Sequence, residues 1–231
     1  GYIWRIRTSP WGYGRALYVK LRDGRTAVYA HLSAFASQLN PFVESEQERR
    51  ATYSVNLFLR RDQIPIKRGE ILGFSGSTGI GAPHLHFELR NRKNHPINPL
   101  VGILQVDDTI PPTIRSLAFI PQGLQASVEN AKEPYLVNLK WDSNNACYVS
   151  SRPFEIEGRI GIACQAYDQA DASVYDKVAP YRLRLLVDGK EVFETIYKSF
   201  SYDRIYQADL NWNFALFKRG EGRFHSLYRE V

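Results

Sequence analysis

Apolar and polar residues alternate along most of this chain with the two-residue period of β-strands. Tyr2-Ile3-Trp4-Arg5-Ile6-Arg7 opens the pattern. Residues 16–22 and 25–30 repeat it on either side of Asp23-Gly24. Asp-Gly between two such runs predicts a hairpin closed by a type I′ turn, which needs positive φ at both central residues. The same signal returns where residues 181–187 and 191–197 flank Asp188-Gly189. One stretch breaks the period. Residues 33–39 read as a short helical turn, and Asn40 is expected to cap a helix that opens on Pro41, where the missing N–H costs nothing. Its continuation over 42–50 holds Glu44, Glu46, Glu48, Arg49 and Arg50, so the helix is expected to be exposed, an insertion over a sheet edge. A glycine-rich loop over 73–83 leads into an alternating run at 84–90. Asp107-Asp108-Thr109-Ile110-Pro111-Pro112-Thr113 is the best linker, because consecutive prolines remove two donors and favour extended backbone. The expected architecture is therefore mainly β. A compact antiparallel domain spans 1–106, a linker 107–113, and a second domain 114–231, whose short strands and frequent turns suit a β-sandwich.

Composition narrows the class. Of 231 residues, 44% are hydrophobic and 23% charged, which excludes wholesale disorder. No run approaches 18 apolar residues, so no transmembrane helix is expected. The chain has no Met and enters its first strand at once from Gly1, which leads to the expectation that sequence is missing upstream. The net charge of +6 is unevenly placed: residues 1–107 hold 15 Lys and Arg against 8 Asp and Glu, a net +7. Either an anionic polymer partner or a solvated basic surface accounts for that. No nucleic-acid motif accompanies the charge, so nucleic acid is not expected as a partner. Cys147 and Cys164 suit either one disulfide or two thiols.

Chemistry concentrates at His84-Leu85-His86. On a strand, residues i and i+2 leave the same face, so both imidazoles point one way while Leu85, Phe87 and Leu89 are expected to anchor the other face. Two imidazoles on a rigid strand suit a metal or proton-transfer site. His31 ends the run at 25–30 and is expected to share a face with Tyr29. His95 and His225 have no polar residues grouped around them and read as structural or surface residues. The glycine-rich loop lacks the Gly-Lys-Ser/Thr ending of a phosphate-binding loop, and no His-Glu-x-x-His helix is present.

Tyr-Ala-His-Leu-Ser at 29–33, Lys-Arg-Gly-Glu-Ile-Leu-Gly at 67–73, Ser-Gly-Ser-Thr-Gly at 75–79 and Pro-His-Leu-His-Phe-Glu at 83–88 follow one another in this order. Together with Gly-Tyr-Gly-Arg at 12–15 they resemble the lysostaphin-type, LytM-like zinc endopeptidases of peptidoglycan over roughly residues 1–101. The part after the linker resembles, more weakly, the immunoglobulin-like domain that follows this peptidase domain in some envelope proteins. The resemblance implies a compact β fold of the duplicated hybrid motif type with a narrow groove. It implies zinc held by His and Asp of a His-x-x-x-Asp motif and by the second His of His-x-His, here His86. His84 would be the general base, and His31 would stabilise the tetrahedral intermediate. Peptidoglycan or its stem peptides would be the substrate, an envelope protein a further partner, and a bacterial periplasm, envelope or exterior the location. The sequence departs at one point: no His-x-x-x-Asp occurs, since four residues after His31, His95 and His225 stand Phe35, Pro99 and Arg229. This chain alone is therefore expected to be depleted of metal and inactive. The alternative is a non-catalytic relative that grips peptidoglycan or activates a partner hydrolase.

Overall fold

The computed structural model describes residues 1–171 and 177–229. It divides into two compact units, one of residues 1–101 with 199–202 and one of residues 102–198 with 203–231.

The first unit is built on a six-stranded antiparallel sheet. Its strands are β1 (Tyr2–Arg7), β2 (Ala16–Lys20), β3 (Thr26–Ala30), β5 (Asn56–Phe58), β7 (His86–Arg90) and β8 (Pro96–Ile97), with β4 (Leu32–Phe35) and β6 (Gly73–Ser75) forming a separate pair. The order across the sheet is β5-β1-β2-β3-β7-β8. The alternation within β2 shows why: Leu17 and Val19 enter one apolar cluster with Ile3, Ile6 and Leu89, while Ala16 and Tyr18 enter another with Val28 and Ala30. Both faces of β2 are thus covered, as its continuous apolar run requires.

The two Asp-Gly turns resolve differently. At the first, only Gly24 has positive φ, and Leu21 and Arg25 pair beyond a tight turn closed by Gly24 N–H to Leu21 O. This is a longer loop with a left-handed glycine in place of the expected type I′ turn. At the second, Asp188 and Gly189 both have positive φ, and the expected turn is present.

Residues 33–39 were expected to form a short helical turn; β4 takes 33–35, and the helical turn is confined to a 3₁₀ turn at Ser37–Leu39. Helix α1 (Asn40–Arg50) begins at Asn40 itself, preceded by Leu39 without a side-chain cap. Its polar composition leaves Val43 as its one buried side chain, and Glu46 pairs with Arg49 and Arg50 on the exposed face.

The second unit holds β9 (Thr113–Pro121), β10 (Ser127–Val128), β11 (Tyr135–Asp142), β12 (Cys147–Ser150), β13 (Ile156–Glu157), β14 (Ile160–Tyr167), β15 (Arg182–Val187), β16 (Lys190–Ile196) and β17 (His225–Ser226). A five-stranded sheet runs β12-β11-β9-β14-β17, beside the two-stranded pairs β10-β13 and β15-β16. Ala118 and Phe119 on β9 point into different apolar clusters, the first with Leu216 of α2 (Phe214–Lys218), the second with Val128. Cys147 and Cys164 sit on β12 and β14 with two strands between them, and both thiols are free. No helix among the described residues is long and apolar enough to cross a membrane.

Candidate active site

Three histidines converge in the first unit. His31, His84 and His86 each offer a ring nitrogen, and these atoms lie within 4.8 Å of one another. The rings of His31 and His84 are 4.5 Å apart, those of His31 and His86 5.4 Å, and those of His84 and His86 6.4 Å.

Each reaches the site by a different local device. His86 is the first residue of β7, paired with Ala30 of β3. His84 lies ahead of that strand, where the sequence places it inside. An isolated bridge to Gly76, with His84 N–H donating to Gly76 O at 3.1 Å, holds it instead. Leu85 is consequently 53% exposed and does not anchor the core, whereas Leu89 does.

His31 has φ of 56°, in the left-handed region that few non-glycine residues occupy. This breaks the alternation at the end of β3. Tyr29 packs its ring on Phe87, in the cluster with Leu17 and Leu89. His31 turns instead toward Tyr13, His84 and His86. The expectation that Tyr29 and His31 share a face is therefore corrected by one backbone dihedral.

The glycine-rich loop supports His31. Its Thr78 carbonyl accepts from His31 Nδ1 at 2.8 Å. The Thr78 hydroxyl accepts from Arg15 N–H at 2.9 Å and donates to Leu32 O at 2.8 Å. The contact with the loop over 12–15 is so close that a Cβ on Gly14 would stand 2.3 Å from the Thr78 backbone and one on Gly79 2.2 Å from Gly12 O. Both glycines also have positive φ, so this junction admits no larger residue.

Hydrogen bonding sets the tautomers. A carbonyl only accepts, so His31 Nδ1 carries a proton, and so does His84 Nδ1, which lies 2.6 Å from Ala82 O. Each Nε2 then keeps its lone pair. His86 is turned the other way: Nε2 lies 2.7 Å from Glu88 Oε1 and donates to it, leaving Nδ1 with the lone pair.

Glu88 was not singled out from sequence, yet it organises this corner. Its side chain is only 12% exposed. Oε1 accepts from Tyr13 and His86, and Oε2 from Arg90 and Tyr202, the last two at 2.7 Å. Burial by itself pushes the carboxyl up, but the donors Arg90, Tyr13, Tyr202 and His86 outweigh it and hold Glu88 down at about 2. Burial and the bond to Glu88 push both tyrosine hydroxyls up, so each stays a donor. The signal that pointed toward Glu88 was its i+2 spacing from His86 on one strand face. Tyr13 and Tyr202 lie 75 and 114 residues away from it, beyond any local pattern. Of the other histidines, His95 is half-buried outside this group, and His225 is buried in the second unit against Trp212.

These three imidazoles, one of them bonded to an ionised carboxylate, form a group that could hold a metal ion. Comparison with known proteins finds partial likeness. A 90-residue stretch is 33% identical to a protein named DD-carboxypeptidase/endopeptidase Mpg from Neisseria meningitidis serogroup B and to its namesake from Neisseria gonorrhoeae. The protein of that name from a second meningococcal strain is 34% identical over the same length. The stretch makes up 38% of this chain, and it spans only 15% of the length of each relative. No protein-family model matches the sequence, and no solved structure matches it significantly.

Proposed function

We propose that this chain carries part of a lysostaphin-type zinc endopeptidase site for peptide bonds of bacterial peptidoglycan, without the His-x-x-x-Asp half of the metal site. The convergence of His31, His84 and His86, each with one nitrogen tied and the other free, carries the reading. Partial identity to proteins named DD-carboxypeptidase/endopeptidase supports it. Imidazole nitrogens suit zinc, and the Glu88–His86 pair has the carboxylate–histidine form that accompanies metal-bound histidine. On this reading His86 holds the metal through Nδ1. Bound zinc would supply Lewis acidity and bring a water's pKa to about 7.

The chain's own groups do the rest. His84, on an exposed ring with Nδ1 tied to Ala82 O, would take a proton from the attacking water at Nε2. His31, once protonated at Nε2, keeps its Nδ1–H on Thr78 O and turns the new N–H toward the oxygen that gains charge in the tetrahedral intermediate. The basic surface of residues 1–107 suits an anionic wall polymer. A bacterial periplasm, envelope or exterior is the setting that goes with such a substrate.

A second reading draws on the absence of His-x-x-x-Asp from these 231 residues. In it the chain is a non-catalytic relative that binds peptidoglycan or activates a partner hydrolase. Zinc stoichiometry of a protein extended upstream of Gly1, together with release of new amino termini from isolated sacculi, separates the two. One zinc per chain with hydrolysis that is lost in His86→Ala supports the peptidase. Sacculus binding without zinc or hydrolysis supports the module.

A further inference from the structure

Resting on the proposed metal site, we infer that Tyr202 is a positioning residue for His86, acting through Glu88. The chain enters the first unit for only four residues late in its course, Ser199–Tyr202, between segments that belong to the second unit. A bridge from Ser199 to Ile97 and a bond from Phe200 N–H to Pro96 O at 3.2 Å lay this piece along β8, at the edge of the six-stranded sheet. Its end delivers the Tyr202 hydroxyl to Glu88 Oε2 at 2.7 Å.

Two further observations separate this from ordinary packing. The Tyr202 ring lies under the Arg90 guanidinium, 4.9 Å from its centroid, so the same residue braces the other donor to Oε2. And Glu88 has no spare capacity: a carboxylate offers about four acceptor positions, and Tyr13, His86, Arg90 and Tyr202 fill two on each oxygen. With all four filled, the carboxylate has one orientation, and Oε1 stays on His86 Nε2. That bond keeps the Nδ1 lone pair free. Remove the Tyr202 hydroxyl and Glu88 can rotate toward Arg90, which frees His86 Nε2 and lets the ring populate its other tautomer.

The test compares the full chain with Tyr202→Phe, which deletes one oxygen and keeps the ring. Imidazole ¹⁵N shifts of the zinc-free proteins report the His86 tautomer, and zinc titration reports affinity. The expected result is a single His86 tautomer in the unsubstituted protein and a mixture in Tyr202→Phe. Zinc affinity should drop by about tenfold, in line with outer-sphere changes elsewhere, with the melting temperature little changed. An unaltered tautomer and affinity in Tyr202→Phe overturn the inference and leave Tyr202 as packing alone. Should zinc bind neither protein, the missing His-x-x-x-Asp half accounts for it, and the ¹⁵N readout still decides the role of Tyr202. The unsubstituted protein offers a check that needs no variant: the Tyr202 hydroxyl proton should be protected from exchange, and exchange at the rate of free tyrosine overturns the proposal.

Discussion

The two units treat histidine in opposite ways. The first brings three imidazoles to one place and ties one nitrogen of each. The second buries a single ring. His225 is 1% exposed, 4.2 Å from the Trp212 ring, with Nδ1 3.2 Å from the Tyr197 hydroxyl and Nε2 without a partner among the described residues. Desolvation lowers its pKa from 6.5. What separates the clustered histidines from the isolated one is the nearness of other imidazoles; burial does not, since His31 is buried as well.

The comparison can be broken most sharply at His84. If it is the base, His84→Ala in a protein that also carries the His-x-x-x-Asp half of the site should lower kcat on peptidoglycan fragments by about 10²–10⁴-fold and leave thermal stability unchanged, because the ring is exposed. An equal loss of stability and rate would count against that role. His225→Ala should show the reverse. It should cost about 3 kcal/mol by denaturant titration, for a cavity beside Trp212, and leave zinc stoichiometry untouched.

A pH series sharpens the second half of the contrast. The folded His225 resists protonation while the unfolded ring takes a proton near 6.5. The unfolded state therefore binds more protons as pH falls below about 6.5, and stability drops with it. It stops dropping only below the lowered folded pKa. Cys164, opposite His225 across the β14–β17 pair, and the Tyr197 hydroxyl are the titratable groups facing it, and both stay neutral in this range. The difference in stability between His225→Phe and the unsubstituted protein should thus grow in favour of the variant from pH 7.5 to 5.5. A constant difference would sink this account.

Thr78→Val tests the support of His31. It removes a hydroxyl that serves Arg15 N–H and Leu32 O, and should cost about 1–2 kcal/mol while leaving the carbonyl bond to His31 in place. The smallest effect concerns the thiols. Alkylation without reductant should modify Cys147 first and Cys164 slowly, since burial pushes the Cys164 thiol up to about 11. Fewer than two alkylated thiols after unfolding would mean a disulfide.

The sequence carried the parts of this architecture that depend on near neighbours. His-x-His spacing placed two rings on one side, and the Asp188-Gly189 hairpin formed with the expected turn. It misplaced what depends on a single dihedral or on distant chain. Nothing local announces that His31 adopts φ of 56° and leaves the face of Tyr29. The turn at Gly24 shows that one dipeptide supports two geometries, with neighbouring pairing choosing between them. Glu88 lay in plain view beside His86, but its importance comes from Tyr13 and Tyr202, which only the folded sheet brings to it.

The late return of the chain to the first unit has a consequence in time. Glu88 and Tyr202 are separated by 114 residues. At a synthesis rate of about 5–20 residues per second, roughly ten seconds pass on the ribosome between the carboxylate and its last donor. Throughout that interval the nascent first unit has its three histidines but not the hydroxyl that completes the shell around Glu88. The shell around Glu88 is thus finished only once the chain has been made through Tyr202, an order of assembly written into the connectivity of the sheet edge.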